Sequence, residues 1–430
     1  MIATAAAVLA VLVALALPVA AALAILAVVL NEVYAFFPLL PALGDVLWGA
    51  SNEFVLVAVP MFILMGEILL RAGIAREMYD GVEAWVGRAP GGLMHANIAS
   101  CTLFAATSGS SVATAATIGT VSIPNMTRLG YAPSLYLGSI AAGGTLGILI
   151  PPSINMIIYG VLAEVSITQL YLAGLIPGVL LAVLFSVAIA VACMVRPGLD
   201  GGRTGADWAA RWRGLRALAP PLGLFLVVVG SIYAGFATPT EAAALGVVAA
   251  LALAAARGAL TAPALWSALE GTMRTTAMVM LIVLAAFFLN FVMVSIGLTN
   301  AITGAVQGLD LSPTSVLLMI VAVYLVLGCF METLSLMIAT TPVVAPIVAG
   351  LGYDLVWFGV LFMILIEAAL ITPPIGVNLF VVQGVRGEAR GPIREVMLGA
   401  LPFLAMMIAM ILLLIAVPGL ALLLPETFVR

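Results

Sequence analysis

Helix-breaking and polar residues interrupt long apolar runs at a few places where chemistry could be done. Two of these places are diprolines: Pro151–Pro152 within "GILIPPSINM" (Gly147–Met156) and Pro373–Pro374 within "LITPPIGVN" (Leu370–Asn378). Proline has no N–H and frees the carbonyl one turn earlier. The stretches Ile150–Ser153 and Thr372–Gly376 would therefore offer main-chain oxygens to a hard cation such as Na⁺, and the helix N-termini beyond them suit a carboxylate. "TSGSSVAT" (Thr107–Thr114) supplies hydroxyls and a glycine that admits close backbone approach, and "CFMETLS" (Cys329–Ser335) supplies Glu332. A carboxylate buried at membrane depth is costly and marks function. Glu332 could ligand sodium, carry a proton, or pair with the amides of its own turn. Asn155 and Asn378, just past the two diprolines, could donate to a substrate carboxylate or coordinate an ion. Glu67 and Glu367 also lie in apolar runs, where a structural or inter-helix role is at least as strong a reading.

The elements that position these residues follow from composition. The chain has 430 residues, 64% of them hydrophobic and 8% charged, with a mean hydropathy of +1.29. A soluble core cannot hide that much apolar surface, so lipid is the solvent for most of the chain. An all-α polytopic membrane protein is expected, with Ile2–Leu30 retained as one membrane segment. The net charge of −4 says little, and nothing points to nucleic acid. All fifteen basic residues are Arg. Cys101, Cys193 and Cys329 lack metal-like spacing and read as packing residues. The single His95 makes neither a metal site nor a proton relay.

The landmarks recur. Pro124, the "LGY" at Leu129–Tyr131 and Pro151–Pro152 are matched by Pro346, the "LGY" at Leu351–Tyr353 and Pro373–Pro374, all at one offset of 222 residues (373 − 151). "RAGIA" and "SIGLT", around Gly73 and Gly297, match at an offset of 224 (297 − 73). An internal repeat of this size is a mark of many transporters. Arginine sets the orientation, because cytoplasmic loops are enriched in it. "RPGLDGGRTGADWAARWRGLR" (Arg196–Arg216) carries five Arg and should be cytoplasmic, whereas Thr275–Val385 carries none. Walking outward from that loop, the broken run after Arg88 enters from the cytoplasm and the broken run flanked by Asp310 and Asp354 enters from outside. The fold expected is thus two inverted-topology repeats, each with a re-entrant helical hairpin and a discontinuous, unwound transmembrane helix. Residues 1–53 form an N-terminal membrane segment and outer connection. Residues 54–195 form the first repeat, with its hairpin at 90–126 and unwound helix at 147–155. The Arg-rich loop covers 196–216. Residues 217–394 form the second half, with its hairpin at 312–348 and unwound helix at 370–378. A C-terminal membrane helix and tail cover 395–430. The hairpin tips face the unwound segments, so a cluster of hydroxyls there reads as a binding wall rather than as helix packing. Glu332 stands one repeat offset after Ser110.

At these motifs the sequence resembles the large membrane subunit of the TRAP (tripartite ATP-independent periplasmic) transporters. The strings that carry the resemblance are "SGSSVATAATIGTVSIPNMTRLGY", "GTLGILIPPSINMIIYG", "ATPTEAAALG" (Ala237–Gly246), "CFMETLSLMIATTPVVAPI" and "ITPPIGVNLFVVQGV". They run over essentially the whole chain. The resemblance implies an elevator-type transporter, with scaffold and transport domains, in the bacterial inner membrane. It would be coupled to Na⁺, use no organic cofactor, and take up an organic acid such as a C4-dicarboxylate, a sialic acid or another sugar acid. It also implies a periplasmic substrate-binding protein and a small four-helix membrane subunit, expected as a separate chain because no further helices precede Ile2. By the same resemblance one sodium site would draw on Ser108, Gly109, Ser110, Gly144 and Gly147, and a second on Gly328, Glu332, Thr333, Thr372 and Pro373. The substrate would lie between them, near Ser111, Asn155, Thr341 and Asn378. Many relatives carry Asp after the "VA" of "SGSSVAT", where this chain has Thr114, so no protonatable group is expected at that turn. "TPTEAA" reads as an outer helix cap with Thr240 as N-cap.

Two other functions fit parts of this pattern. A one-component anion symporter of similar inverted architecture would work without a binding protein. An intramembrane hydrolase would use Ser108 or Ser110 as nucleophile, but needs a base in hydrogen-bond reach, and His95 lies before the hairpin's first arm. A scaffold without transport has no need of two unwound helices, and a non-enzymatic transporter is the reading adopted.

Overall fold

Backbone N–H and C=O groups in hydrocarbon must be satisfied within the chain, so an apolar sequence of this length folds as helices wherever proline and glycine allow. The computed structural model describes residues 1–202, 207–308, 310–329, 331–387 and 391–428. Arg203 of the basic loop, Phe330 of the second polar turn and Arg390 lie outside the described residues.

The chain begins with α1 (Ile2–Ala14), α2 (Val19–Tyr34), α3 (Leu43–Ser51), α4 (Ala58–Arg71) and α5 (Ile74–Val86). The first hairpin is α6 (Leu93–Ser108) and α7 (Ser111–Leu129), followed by the broken pair α8 (Pro133–Leu149) and α9 (Ile154–Leu162), then α10 (Ile167–Val195). Next come α11 (Trp208–Tyr233), α12 (Pro239–Ala256), α13 (Ala262–Ser295) and α14 (Leu298–Gln307). The second hairpin is α15 (Pro313–Leu327) and α16 (Thr333–Gly350), followed by α17 (Leu355–Leu370) and α18 (Val377–Arg386), then α19 (Ile393–Ala416) and α20 (Gly419–Phe428). Seven helices among the described residues are long and apolar enough to cross a membrane, and α8 with α9, bent by 44°, makes an eighth.

The two repeats are inverted. Between the start of α8 and the start of α17 the chain passes through α8/α9, α10, α11, α12 and α13. At 1.5 Å per residue the 29-residue α10 reaches about 44 Å, more than a bilayer core. The 10-residue α14 is too short to cross, and the second hairpin returns to the side it entered. An odd number of crossings reverses direction. Packing agrees: α8 lies on α19 as α17 lies on α10, and α7 lies on α18 as α16 lies on α9. Each pair is the image of the other under a pseudo-two-fold. Left-handed glycines recur in register too, Gly73 (φ +70°) with Gly297 (φ +71°) and Gly130 (φ +71°) with Gly352 (φ +85°).

Two helical groups result. The first holds α2, α3, α4, α5, α11, α12 and α13, joined by α13 packing on α2 and α4, α4 on α12, and α5 on α11. The second holds the hairpins, the broken helices, α10, α19 and α20. The central α8 and α17 are buried almost all round. Small residues make this possible, since without water van der Waals contact is the main attraction between helices. An ideal Cβ at Gly138 of α8 would fall inside the carbonyl of Gly399 on α19.

Three sequence expectations are corrected. Ile2–Leu30 is two short helices, because the chain turns at Ala16 (φ +52°) and Pro18 restarts it as the N-cap of α2. The Arg196–Arg216 loop is helical from Trp208, where the Asp207 side chain accepts from the Ala210 amide and starts α11 inside the basic stretch. The cap of α12 is Thr238, in a capping box with Glu241, and Thr240 sits inside the helix. Gly138→Ala should cost about 1–3 kcal/mol through overpacking, read as a lower melting temperature in detergent. Gly230→Ala, in α11 with nothing within 4 Å of its Cβ position, should cost nothing. Equal melting of both variants with the wild type would contradict the close α8–α19 contact.

Candidate functional site

Pro151 and Pro152 have no N–H to give, so the carbonyls of Gly147 and Ile148, four residues earlier, lose their helical donors. The chain is extended at Ile150 (ψ 122°) and helical again only after Ser153, whose side chain accepts from the Met156 amide. Pro373 and Pro374 do the same to Ala369 and Leu370. There the last turn tightens, with Thr372 donating its amide to the Ala369 carbonyl at 3.2 Å. Both Pro–Pro bonds are cis.

Each hairpin tip lies against the break of its own repeat. In the first, Gly109 (φ +61°) ends α6, and its Cβ position is 3.1 Å from the Pro152 carbonyl oxygen. The Cβ position of Gly147 is 2.9 Å from the Ser110 carbonyl carbon and 3.0 Å from the Ser111 amide nitrogen. Glycine is required at both because a side chain would push the tip off the break. In the second, the Cys329 thiol points at the Pro373 carbonyl oxygen at 3.7 Å, and Gly328 presses on Ala369. Ser110 and Glu332 hold equivalent posts: each is the N-cap of the second hairpin arm.

A cavity of about 280 Å³ opens between the tips. Its wall includes Ser108, Gly109, Ser110 and Ser111 of the first tip, Asn155 of α9, and Glu332 and Thr333 of the second tip. Seven of the fourteen residues assigned to sodium or substrate thus meet at one site. Gly147 stands behind the first tip. Gly144 is a packing glycine whose Cβ would strike Ala115. Gly328, Thr372 and Pro373 stay beside the second break, with the Thr372 hydroxyl donating back to the Ala368 carbonyl. Thr341 and Asn378 do not line the cavity. The Thr341 hydroxyl donates to Met337 on its own helix, and the Asn378 amide donates to the Ala141 carbonyl at 3.2 Å.

Glu332 is exposed to the cavity rather than buried. Its carboxylate accepts from the amides of Leu334 (3.1 Å) and Ser335 (2.9 Å) and from the hydroxyls of Thr333 and Ser335. Of the three roles open to it, pairing with its own turn is the one its contacts display. Asn155 is the opposite case: it is 4% exposed and its Nδ2 has no partner. The Ser108 hydroxyl pairs with that of Thr114 at 2.9 Å, and Ser111 donates to the Thr145 carbonyl at 3.2 Å. Neither Ser108 nor Ser110 has an imidazole in reach, since His95 lies thirteen residues before Ser108 on α6, about 20 Å along the axis. Among the described residues no three His, Cys, Asp or Glu converge on a metal-binding geometry.

The first helical group supplies the remaining wall, which the sequence reading missed. Gly66 and Glu67 of α4 and Thr275 of α13 line the cavity, and the Gly66 Cβ position is 3.1 Å from the Ser108 Cα. No local spacing signals a wall built by helices on a different body. Glu67 pairs with Arg71, which also donates to the Ser267 carbonyl and hydroxyl of α13 at 3.0 Å, the inter-helix role expected. Glu367 is wholly buried on α17, its carboxylate set against the Ile148 and Leu149 amides at the end of α8, and stays outside the cavity.

The comparisons with known proteins bear on this geometry. Residues 6–420 match the family described as "Tripartite ATP-independent periplasmic transporter, DctM component". The chain belongs to that family. The permease is 36% identical over 383 residues to the C4-dicarboxylate TRAP transporter large permease protein DctM of Pseudomonas aeruginosa, covering 88% of each chain. It is 33% identical over 376 residues to the ectoine TRAP transporter large permease protein TeaC of Halomonas elongata, covering 87% of each. Its fold is similar to the YdaH transporter of Alcanivorax borkumensis, with a TM-score of 0.65 and 17% identity over 93% of this chain and 96% of that one. It is a multi-pass membrane transporter subunit, and its relatives are named for different cargoes.

The cap at Glu332 gives a test. Glu332→Ala should destabilise α16 by about 1 kcal/mol, with faster amide exchange at Leu334 and Ser335. Glu332→Ser, the residue used at the sister tip, should restore most of the protection. Exchange in Glu332→Ala as slow as in the wild type would show that the carboxylate does not hold the turn.

Proposed function

We propose that this permease couples entry of sodium to uptake of an organic acid by an elevator motion. Among the described residues no Arg lines the cavity, and Arg71, behind its wall, is already paired with Glu67, so a carboxylate placed between the tips meets no free cationic side chain. An uncompensated charge there would be strongly unfavourable, so a co-bound cation is the natural source of positive charge. That single observation carries the reading. The Gly147 and Ile148 carbonyls, freed by the first diproline beside the tip residues Ser108–Ser110, suit a hard cation with oxygen ligands. A second cation would use the equivalent break around Gly328, Thr372 and Pro373, with Thr333 and Glu332 nearby. The unpartnered Asn155 Nδ2 would donate to the acid, with Ser111 beside it.

Motion of the second helical group against the first would carry the cavity across, since α4 and α13 wall one side and both hairpins the other. In this reading the basic stretch Arg196–Arg216 faces the cytoplasm of a bacterial inner membrane. A periplasmic binding protein delivers the acid, and a small membrane subunit covers exposed apolar surface of the first group. The acid belongs to the C4-dicarboxylate, sialic acid or sugar-acid class. Transport by the purified permease without any partner would instead favour a one-component symporter.

The test is uptake into proteoliposomes holding the permease, its partner subunit and the loaded binding protein. An inward sodium gradient should drive accumulation, and an equal potassium gradient should not. Asn155→Leu should raise the apparent KM about 10-fold or more, the cost of a lost charge-assisted hydrogen bond, with the sodium requirement unchanged. Equal uptake in sodium and potassium would refute the coupling.

A further inference from the structure

The permease carries a second built surface that transport chemistry leaves unused, along the seam between α5 and α11. At one end Arg211 lies over two indoles, 5.1 Å from the Trp208 ring centroid and 5.9 Å from that of Trp85. The indoles meet edge to face at 6.5 Å. The Arg211 Nε is buried without a hydrogen-bond partner. No carboxylate among the described residues pairs with this guanidinium, and Arg213 and Arg216 are exposed on the next turns. At the middle of the seam Gly81 and Gly214 bring the helices into backbone contact, 2.9 Å from the Gly81 Cβ position to the Gly214 oxygen.

At the other end the helices diverge around a nearly wholly apolar cavity of about 180 Å³. Its wall includes Met78 of α5, Leu103 of α6, Ile150 of the first break, Val179 of α10, and Pro221 and Phe225 of α11. Val179 is 51% exposed, so the cavity opens towards lipid. The two ends share one helical stripe: Met78, Gly81 and Trp85 on α5, and Arg211, Gly214, Leu218, Pro221 and Phe225 on α11, spaced three, four or seven apart. Ten residues separate Arg211 from Pro221, about 15 Å along the axis. That is half the thickness of the hydrocarbon core. The arginine with its indoles therefore stands at headgroup depth when the cavity stands at mid-bilayer. Tryptophan and arginine are the residues that sit at that level.

We propose that one anionic phospholipid occupies this seam, its phosphate held by Arg211 between Trp85 and Trp208 and an acyl chain seated in the cavity against Ile150. A cation with no carboxylate partner among the described residues calls for an anion, and an apolar cavity open to the hydrocarbon calls for an acyl chain. The spacing between them fits both parts to a single molecule. The seat is independent of which solute is carried and of sodium. It joins the hairpin group, through Leu103 of α6, Ile150 of the first break and Val179 of α10, to α5 and α11 of the other.

The test is native mass spectrometry of the delipidated full-length permease titrated with phosphatidylglycerol or phosphatidylethanolamine. One phosphatidylglycerol should bind saturably and more tightly than phosphatidylethanolamine. Arg211→Gln should weaken it about fivefold, the worth of one interfacial arginine, and Arg211→Lys should recover most of the loss. Val179→Phe, which narrows the mouth of the cavity and leaves the arginine untouched, should weaken phosphatidylglycerol by a similar factor without changing the melting temperature. The proposal is overturned if Arg211→Gln binds like the wild type, if Val179→Phe binds like the wild type, or if both lipids bind equally.

Discussion

Hydrocarbon offers no hydrogen bond to a peptide group, and every feature of this permease answers that constraint. Two diprolines withdraw four amide donors from the helices that cross nearest the centre. The breaks they make survive because they are not exposed to lipid. Each is covered by the glycine-bearing tip of a re-entrant hairpin, and each tip is closed by an N-cap, Ser110 or Glu332. Glycines at 109, 147 and 328 let the cover fit closely. Breaking a helix in a membrane thus leaves main-chain oxygens at two breaks, each covered by a tip that lines a small cavity.

The two repeats solve this problem with different chemistry at the same places. Behind the first hairpin runs a buried polar network: Tyr79 donates to Asn97 at 3.1 Å, Asn97 donates to Ser139 at 2.9 Å, and Ser122 pairs with Tyr136 at 2.7 Å. One offset later, Asn97, Ser122, Tyr136 and Ser139 become Met319, Val344, Phe358 and Leu361. The second hairpin relies instead on rings, with Phe362 stacked on Phe358 at 5.5 Å and edge to face with Tyr324 at 4.7 Å. A fully satisfied network fixes one geometry, whereas ring packing is less directional. The first tip is buried and the second is partly open to the cavity.

Much of this was legible because membranes punish backbone irregularity, so prolines and glycines in apolar runs carry unusual information. Repeat landmarks at one offset located both hairpins and both breaks, and they placed Ser110 and Glu332 as equivalents. What stayed hidden depends on rotation about a helix or on a partner helix distant in sequence. Thr341 and Asn378 lie on the expected elements but turn toward their own helix and toward α8. Gly66 and Thr275 reach the cavity from the other helical group. The cap at Thr238 lies two residues before the expected Thr240, although Pro239 at the first helical position and Glu241 at the third both point to Thr238.

The claim at the centre is that carbonyls freed by a diproline, next to a hairpin tip, form the cation seat. Equilibrium binding of radiolabelled sodium to the purified permease measures this without substrate or partners. The wild type should bind sodium saturably. A Pro151→Ala, Pro152→Ala double variant of unchanged melting temperature regains the amide donors and should lose that binding. Saturable sodium binding of wild-type affinity in the double variant would contradict the account.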